Sequence, residues 1–228
     1  TNFTQMNLKV IITGTTGMVG EGVLHECLFH PQVESILVIN RKPCGVQHAK
    51  LSEIIHQDFF DISGLDKSVT GYNACFFCLG VSSVGMNESD YTRMTHTLTM
   101  HIAGVLCKVN PDMTFCYISG AGTDSTELGR SMWARVKGRT ENDLMKLPFR
   151  AVYCFRPPMI EPTKGLHNTL SMYKYLGWIA PILRSLAPNY IITLKQLGQA
   201  MIRSALEGYK SPILEAADIK SSGQSNTI

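Results

Sequence analysis

The chain has 228 residues, of which 44% are hydrophobic and 17% charged, with a formal net charge of +3. That length matches one α/β domain, residues 1–228, with a proper core, and that balance excludes a disordered polymer. So small a charge, with no Lys/Arg block and no basic–aromatic alternation, gives no footing for nucleic acid.

Strand and helix signals alternate along the chain. Leu8–Thr13 is a β-branched run ending in glycine, and Met18–Phe29 has helical spacing at Val19, Val23, Leu24 and Cys27, with Pro31 just beyond. Ser35–Ile39 is a short apolar strand, and Leu51–Gln57 is another, ending at Asp58. Ala74–Leu79 is continuously apolar, as a strand buried on both faces of a parallel sheet must be. Glu88–Val109 reads as one long helix with Leu98, Ile102, Val105 and Val109 on a stripe. Met113–Ser119 is a strand, Arg130–Leu147 a helix stopped by Pro148, and Arg150–Phe155 a strand stopped by Pro157 and Pro158. This order predicts an α/β fold with a doubly wound parallel sheet. After about residue 157 the pattern turns helical, at Leu166–Leu186 and Thr193–Glu207, with a last strand at Pro212–Glu215 and a frayed polar end at Ser221–Ile228. This part is expected to shape a substrate cleft.

The seven cysteines are scattered through apolar stretches and do not form a secreted disulfide framework. Cys75 and Cys78 form a C-x-x-C, but residues three apart on a strand point to opposite faces, so no redox pair is expected. No His/Cys cluster has zinc-like spacing. The first apolar run, Val10–Ile12, is too short for a signal sequence, and Tyr175–Pro188 is broken by Pro181 and Arg184, short of the ~20 residues of a membrane span. The expectation is a cytoplasmic monomer or homodimer that takes a small-molecule substrate of unknown identity.

The chemistry is concentrated in Val10-Ile-Ile-Thr-Gly-Thr-Thr-Gly-Met-Val-Gly20, which leaves a strand and opens a helix. Gly14 permits the tight turn, Gly17 lets backbone approach a pyrophosphate, and Gly20 lets the helix pack on the sheet. The amides and exposed groups of Thr16, Met18 and Val19 complete the cradle, because a helix start carries unpaired N–H groups and a favourable dipole. The next strand ends in Asn40-Arg41-Lys42, where NAD-preferring sites place a carboxylate for the ribose 2′-OH. No carboxylate here repels a 2′-phosphate, Arg41 offers a two-pronged bond and Lys42 adds charge, so NADP is the expected cofactor. Asp58 and Phe59 end the third strand where an adenine edge lies, though a turn or cap aspartate is an equal reading of Asp58. Cys78-Leu79-Gly80 ends the fourth strand, and Gly80 again allows close approach.

These features, with Tyr117-Ile-Ser-Gly-Ala-Gly122, Val136-Lys137-Gly138 and Phe155-Arg-Pro-Pro158, resemble the extended and atypical short-chain dehydrogenase/reductases over nearly the whole chain. The likeness is strongest to small NAD(P)H-binding, epimerase/dehydratase-like members. It implies a Rossmann fold, places Pro158 beside the cofactor, and carries a Ser, Tyr and Lys of hydride-transfer chemistry onto this chain. Ser119 matches the Ser and Lys137 the Lys, the latter also expected to bond the nicotinamide ribose. The tyrosine should stand four residues before Lys137, where this chain has Trp133, whose indole only donates and has no proton to exchange near neutral pH. Three functions remain: an oxidoreductase with another proton donor (Tyr91, Tyr173, His167 or a water held by Ser119 and Lys137), a silent NADP(H)-binding sensor or scaffold, and an epimerase or dehydratase using bound NAD. Lys137 also shares its helix with Arg135 and Arg139, so a solvated basic face is the competing reading, and replacing Arg135 or Arg139 by alanine is expected to change NADP(H) binding little.

Overall fold

The computed structural model describes residues 7–62, 64–168 and 191–224. Seven strands form one parallel sheet in the order β3-β2-β1-β4-β5-β6-β9. They are β1 (Leu8–Thr13), β2 (Val33–Asn40), β3 (Leu51–Ile55), β4 (Ala74–Phe77), β5 (Thr114–Ile118), β6 (Ala151–Phe155) and β9 (Ile213–Leu214). A separate parallel pair joins β7 (Met159–Glu161) to β8 (Ile191–Thr193). The expected doubly wound, Rossmann-like α/β fold is thus the observed one.

Strand side chains alternate between two core layers. Val10 and Ile12 of β1 face a layer built with α1 (Met18–Phe29) and α6 (Leu194–Glu207), through Val23, Leu24, Cys27, Leu197 and Met201. Ile11 faces the opposite layer, where Leu98, Ile102 and Leu106 of α4 (Leu98–Val109) and Leu144 of α5 (Met132–Leu144) pack. Cys75 belongs to the second layer and Cys78 packs on the first, which is the opposite-face arrangement expected of the C-x-x-C.

The element order runs as the sequence predicts, with differences that have physical causes. The helix expected over Glu88–Val109 is interrupted: α3 (Glu88–Thr92) passes into a π turn, Arg93–Thr97, before α4. In that wide turn His96 Nε2 lies 2.7 Å from Asp143 Oδ2 of α5. Leu166, His167 and Asn168 are not helical, and the rest of the helix expected to Leu186 falls outside the described residues. The strands β7 and β8, too short to carry a period, the four-residue α2 (Asp66–Val69) and α7 (Ala216–Gly223) were not legible in the pattern. Ser221 was expected in a frayed end and instead lies inside α7, whose Glu215–Asp218 capping box starts the helix.

Candidate cofactor and active site

The strand order reverses at β1, which pairs with β2 on one side and β4 on the other. Ligands of open α/β sheets sit outside the carboxyl ends of the strands at such a point, and the glycine turn occupies it. Gly14 has φ +75, and a Cβ there would lie 2.7 Å from the Cys78 carbonyl oxygen. A Cβ on Gly20 would lie 2.2 Å from the Gly14 carbonyl oxygen. Both glycines therefore hold the turn, the β4 end and α1 together. Gly17 is different: its φ is −104 and its nearest neighbour to a Cβ is 3.5 Å away. Thr16 and Gly17 are exposed at the N-cap of α1, and Glu21 N–H donates back to Gly17 O. The amides of Met18 and Val19 open the first turn, where no intrahelical acceptor exists, while the Met18 side chain belongs to the core.

Asn40 is only 2% exposed and does not face solvent as Arg41 and Lys42 do. Its Nδ2 donates to Thr15 Oγ1 at 2.6 Å and its Oδ1 accepts from Thr15 N–H at 3.2 Å. It locks the glycine turn to β2. Glu53 of β3 brings a carboxylate to this corner, turned onto Asn40 Nδ2 (3.4 Å) and the Cys44 amide (2.8 Å). Arg41 pairs with no carboxylate among the described residues, and its carbonyl accepts from Gln57 Nε2 at 2.8 Å.

Arg41 forms one lip of an open cleft with Asp58, Phe59, Leu79 and Gly80. Gln57, Phe60, Val81, Met94 and Leu98 complete it, and these the sequence reading missed. Phe59 is mostly core, packed with Ile62 and Val69, whereas Phe60 carries Arg93 over its ring at 4.9 Å. Asp58 Oδ1 accepts from the Phe60 amide at 2.9 Å, so the turn-aspartate reading holds for that oxygen. Nothing lies within 4 Å of a Cβ built on Gly80, which leaves this edge of the cleft open.

At the end of β5 the residues form a tight polar cluster. Trp133, Lys137 and Glu141 lie one turn apart on α5, so they share a face. Lys137 Nζ donates to the Ser119 carbonyl. The Ser119 hydroxyl is 2.5 Å from Glu141 Oε1 and 3.2 Å from the Phe155 carbonyl, two acceptors inside the protein. Glu141 is 0% exposed and takes Arg156 Nη2 at 2.5 Å and Nε at 3.1 Å. Arg156 reaches on to Ser125 and Glu215. Glu141 stands one turn after Lys137 in the sequence, but its spacing alone does not mark it as the partner of Ser119 and Arg156. Burial lowers the Lys137 ammonium to about 8, against the pull of Glu141, which raises it. Trp133 lays the far edge of its indole beside Gly122, 3.5 Å from where a Cβ would stand.

The other expected donors separate. Tyr91 is 2% exposed and burial raises its phenol. His167 is held through its backbone, the N–H groups of His167 and Asn168 each 2.7 Å from the buried Glu21 carboxylate of α1. Tyr173 lies outside the described residues. Pro158 follows Pro157, whose carbonyl accepts from the Ala121 amide at 2.9 Å, tying the β6 end to the loop after β5. Arg135, expected on a solvated face, instead bridges Glu88 Oε2 (2.7 Å) and the carbonyls of Gly129 and Arg130.

The model of the NAD dependent epimerase/dehydratase family matches residues 10–127. The chain belongs to that family. This epimerase/dehydratase relative is 24% identical to Protein HTATIP2 of Rattus norvegicus over 70% of the chain and 65% of that protein. It is 27% identical to "Protein fmp52-1, mitochondrial" of Aspergillus terreus over 90% of each, and 23% identical to "Protein FMP52-1, mitochondrial" of Scheffersomyces stipitis over 74% of the chain and 77% of that protein. The expected cytoplasmic location thus draws no support from the fungal relatives; no helix among the described residues is long and apolar enough to cross a membrane. The fold is that of Helicobacter pylori ADP-L-glycero-D-manno-heptose-6-epimerase, with TM-score 0.67 and 16% identity over 97% of the chain and 83% of that protein. It is equally that of the Bordetella bronchiseptica enzyme WbmG in complex with NAD, with TM-score 0.67 and 13% identity over 97% and 78%. These findings bear out the resemblance to extended and atypical short-chain dehydrogenase/reductases, and the family is NAD(P)-binding.

Proposed function

We propose that this chain binds NADP(H) in preference to NAD(H) and uses it as an oxidoreductase on a small carbonyl or alcohol. The observation that carries the cofactor reading is Arg41, exposed on the lip of this cleft with no carboxylate partner among the described residues. Its guanidinium suits a ribose 2′-phosphate, while Gly17 leaves room for the pyrophosphate at the start of α1. The solved neighbour WbmG is in complex with NAD, so the preference for NADP(H) rests on the residues of this chain.

Calorimetric titration of NADPH and NADH tests the reading. NADPH binds roughly ten- to a hundredfold more tightly, and Arg41→Ala removes most of that margin, since a hydrogen bond to a charged group contributes about 1.5–3 kcal/mol. Equal affinities in the native protein refute it. NADPH consumption against a panel of aldehydes, ketones and quinones tests hydride transfer.

A second reading, a cofactor-binding protein without catalysis, is favoured by Trp133 and by the Ser119 hydroxyl turned inward onto Glu141. A native protein silent on the panel, in which Trp133→Tyr creates turnover, supports it.

A further inference from the structure

The oxidoreductase reading leaves a proton unaccounted for. Reducing a carbonyl by a reduced nicotinamide adds a hydride at carbon and requires one proton at oxygen. Trp133 has none to exchange. Ser119 points its hydrogen at Glu141 or at the Phe155 carbonyl, so in this arrangement it has only lone pairs to offer a substrate. Tyr91 of α3 is buried in the core. One described titratable side chain at the end of β5 still has hydrogens to offer: the Lys137 ammonium carries three and gives one to the Ser119 carbonyl.

We propose that Lys137 itself delivers the proton to the substrate oxygen, and takes it back in the reverse direction, with Glu141 as the positioning residue that holds Ser119 and Lys137 in register. This rests on the oxidoreductase reading. In the reductive direction the N–H bond of Lys137 breaks, the substrate O–H bond forms, the carbonyl carbon receives hydride from the reduced dinucleotide, and the neutral amine is reprotonated from water. Carbonyl, NADPH and one proton become alcohol and NADP⁺.

The surroundings suit the task. Lys137 is set one turn from Glu141, which favours its charged form, and burial favours the neutral amine. The balance places the group near 8, close to a working pH, where a general acid is most effective. Behind Glu141 stand Arg156, just after β6, and Glu215 before α7, while Tyr117 of β5 feels both Glu141 and Tyr91 of α3. Arg135, on the same helix, is drawn away to Glu88 of α3.

The decisive variant is Lys137→Arg. It keeps the charge and can still bond a ribose, but it cannot release a proton near neutral pH. NADPH affinity, measured by calorimetry, should stay within about threefold, while turnover on any accepted carbonyl falls at least a hundredfold. Two measurements on the native protein need no variant. Reductive kcat should fall about tenfold between pH 7 and pH 9, and a lysine side-chain resonance, followed by NMR without cofactor, should titrate near 8. Turnover kept within tenfold in Lys137→Arg, a flat profile to pH 9, or a Lys137 that titrates with the surface lysines each overturn the proposal while the oxidoreductase reading stands. A native protein that binds NADPH but consumes it with no carbonyl overturns both.

Discussion

Three glycines in one turn obey three different constraints, and their substitutions should separate accordingly. Gly17→Val adds a side chain where the nearest atom to Cβ is 3.5 Å away, so the fold should change by no more than about 1 kcal/mol in urea denaturation. The same side chain stands over the start of α1, and NADPH binding should be lost in calorimetry. Gly20→Ala reverses the pattern: its Cβ would be 2.2 Å from a backbone carbonyl, which no rotamer relieves, and the fold should lose about 1–3 kcal/mol. Undiminished binding in Gly17→Val would show the turn to be structural alone. These roles were legible because strand, glycine spacing and helix are contiguous in sequence. The role of Asn40 was not: it stands beside Arg41 in sequence, but its amide turns inward onto Thr15, 25 residues away. Phe59 and Phe60, side by side in a turn after β3, divide between core packing and the Arg93 contact, and a turn has no period from which to read that division.

At the scale of the element, α5 shows how a helix can be found from its period and yet be misread on its surface. Met132–Leu144 lies within the stretch its pattern predicts, and Gly138 does pack closely, with a Cβ there 1.8 Å from the Asp124 carbonyl oxygen. What the period could not give is the partner of Arg135, which lies 47 residues back at the start of α3. The expectation for Arg135 concerns cofactor binding, and these contacts give the residue a structural part beside it. Arg135 ties the loop after β5 to the start of α3. Arg135→Ala should lower global stability by about 1 kcal/mol or less, because the ion pair is partly exposed. Proteolytic cleavage within residues 120–131 should nonetheless quicken several-fold, because two carbonyl anchors go with it. A cleavage rate equal to that of the native protein would return Arg135 to the solvated face. Glu141→Ala is the harsher test of the same helix: it strands Arg156, whose side chain is 10% exposed, and should cost about 3–5 kcal/mol.

For the whole molecule, the order of strands and helices was readable because each buried strand is a continuous apolar run and each helix a stripe. The closing pieces, β7, β8 and α7, were not, since two or three residues carry no period. The composition of the core has a consequence that belongs to no single site. Cys27, Cys75, Cys78, Cys116 and Cys154 are free thiols against the central sheet, and burial holds each above its ordinary value of 9.0. In the unfolded chain they ionise near 9, whereas in the fold they stay protonated. Above that pH the folded state binds more protons, so stability falls as pH rises, by about 1.4 kcal/mol per pH unit for each thiol. Five thiols give about 7 kcal/mol per unit. Lys137 works the other way: held near 8 by burial, it binds fewer protons in the fold between there and its ordinary 10.5, and returns about 1.4 kcal/mol per unit. The thiols win. Against a total stability of roughly 5–15 kcal/mol, the fold should be lost within about one to three pH units above 9, and Tyr117, whose phenol burial also raises, steepens the loss beyond 10. Urea denaturation at pH 7.5, 9 and 10 under reductant measures the slope. Cys116→Ala should flatten it by about 1.4 kcal/mol per unit, one thiol's share. Stability that holds level from pH 8.5 to 10 would mean that the thiols ionise within the fold, and that the sheet is not closed to water as the packing of these residues requires.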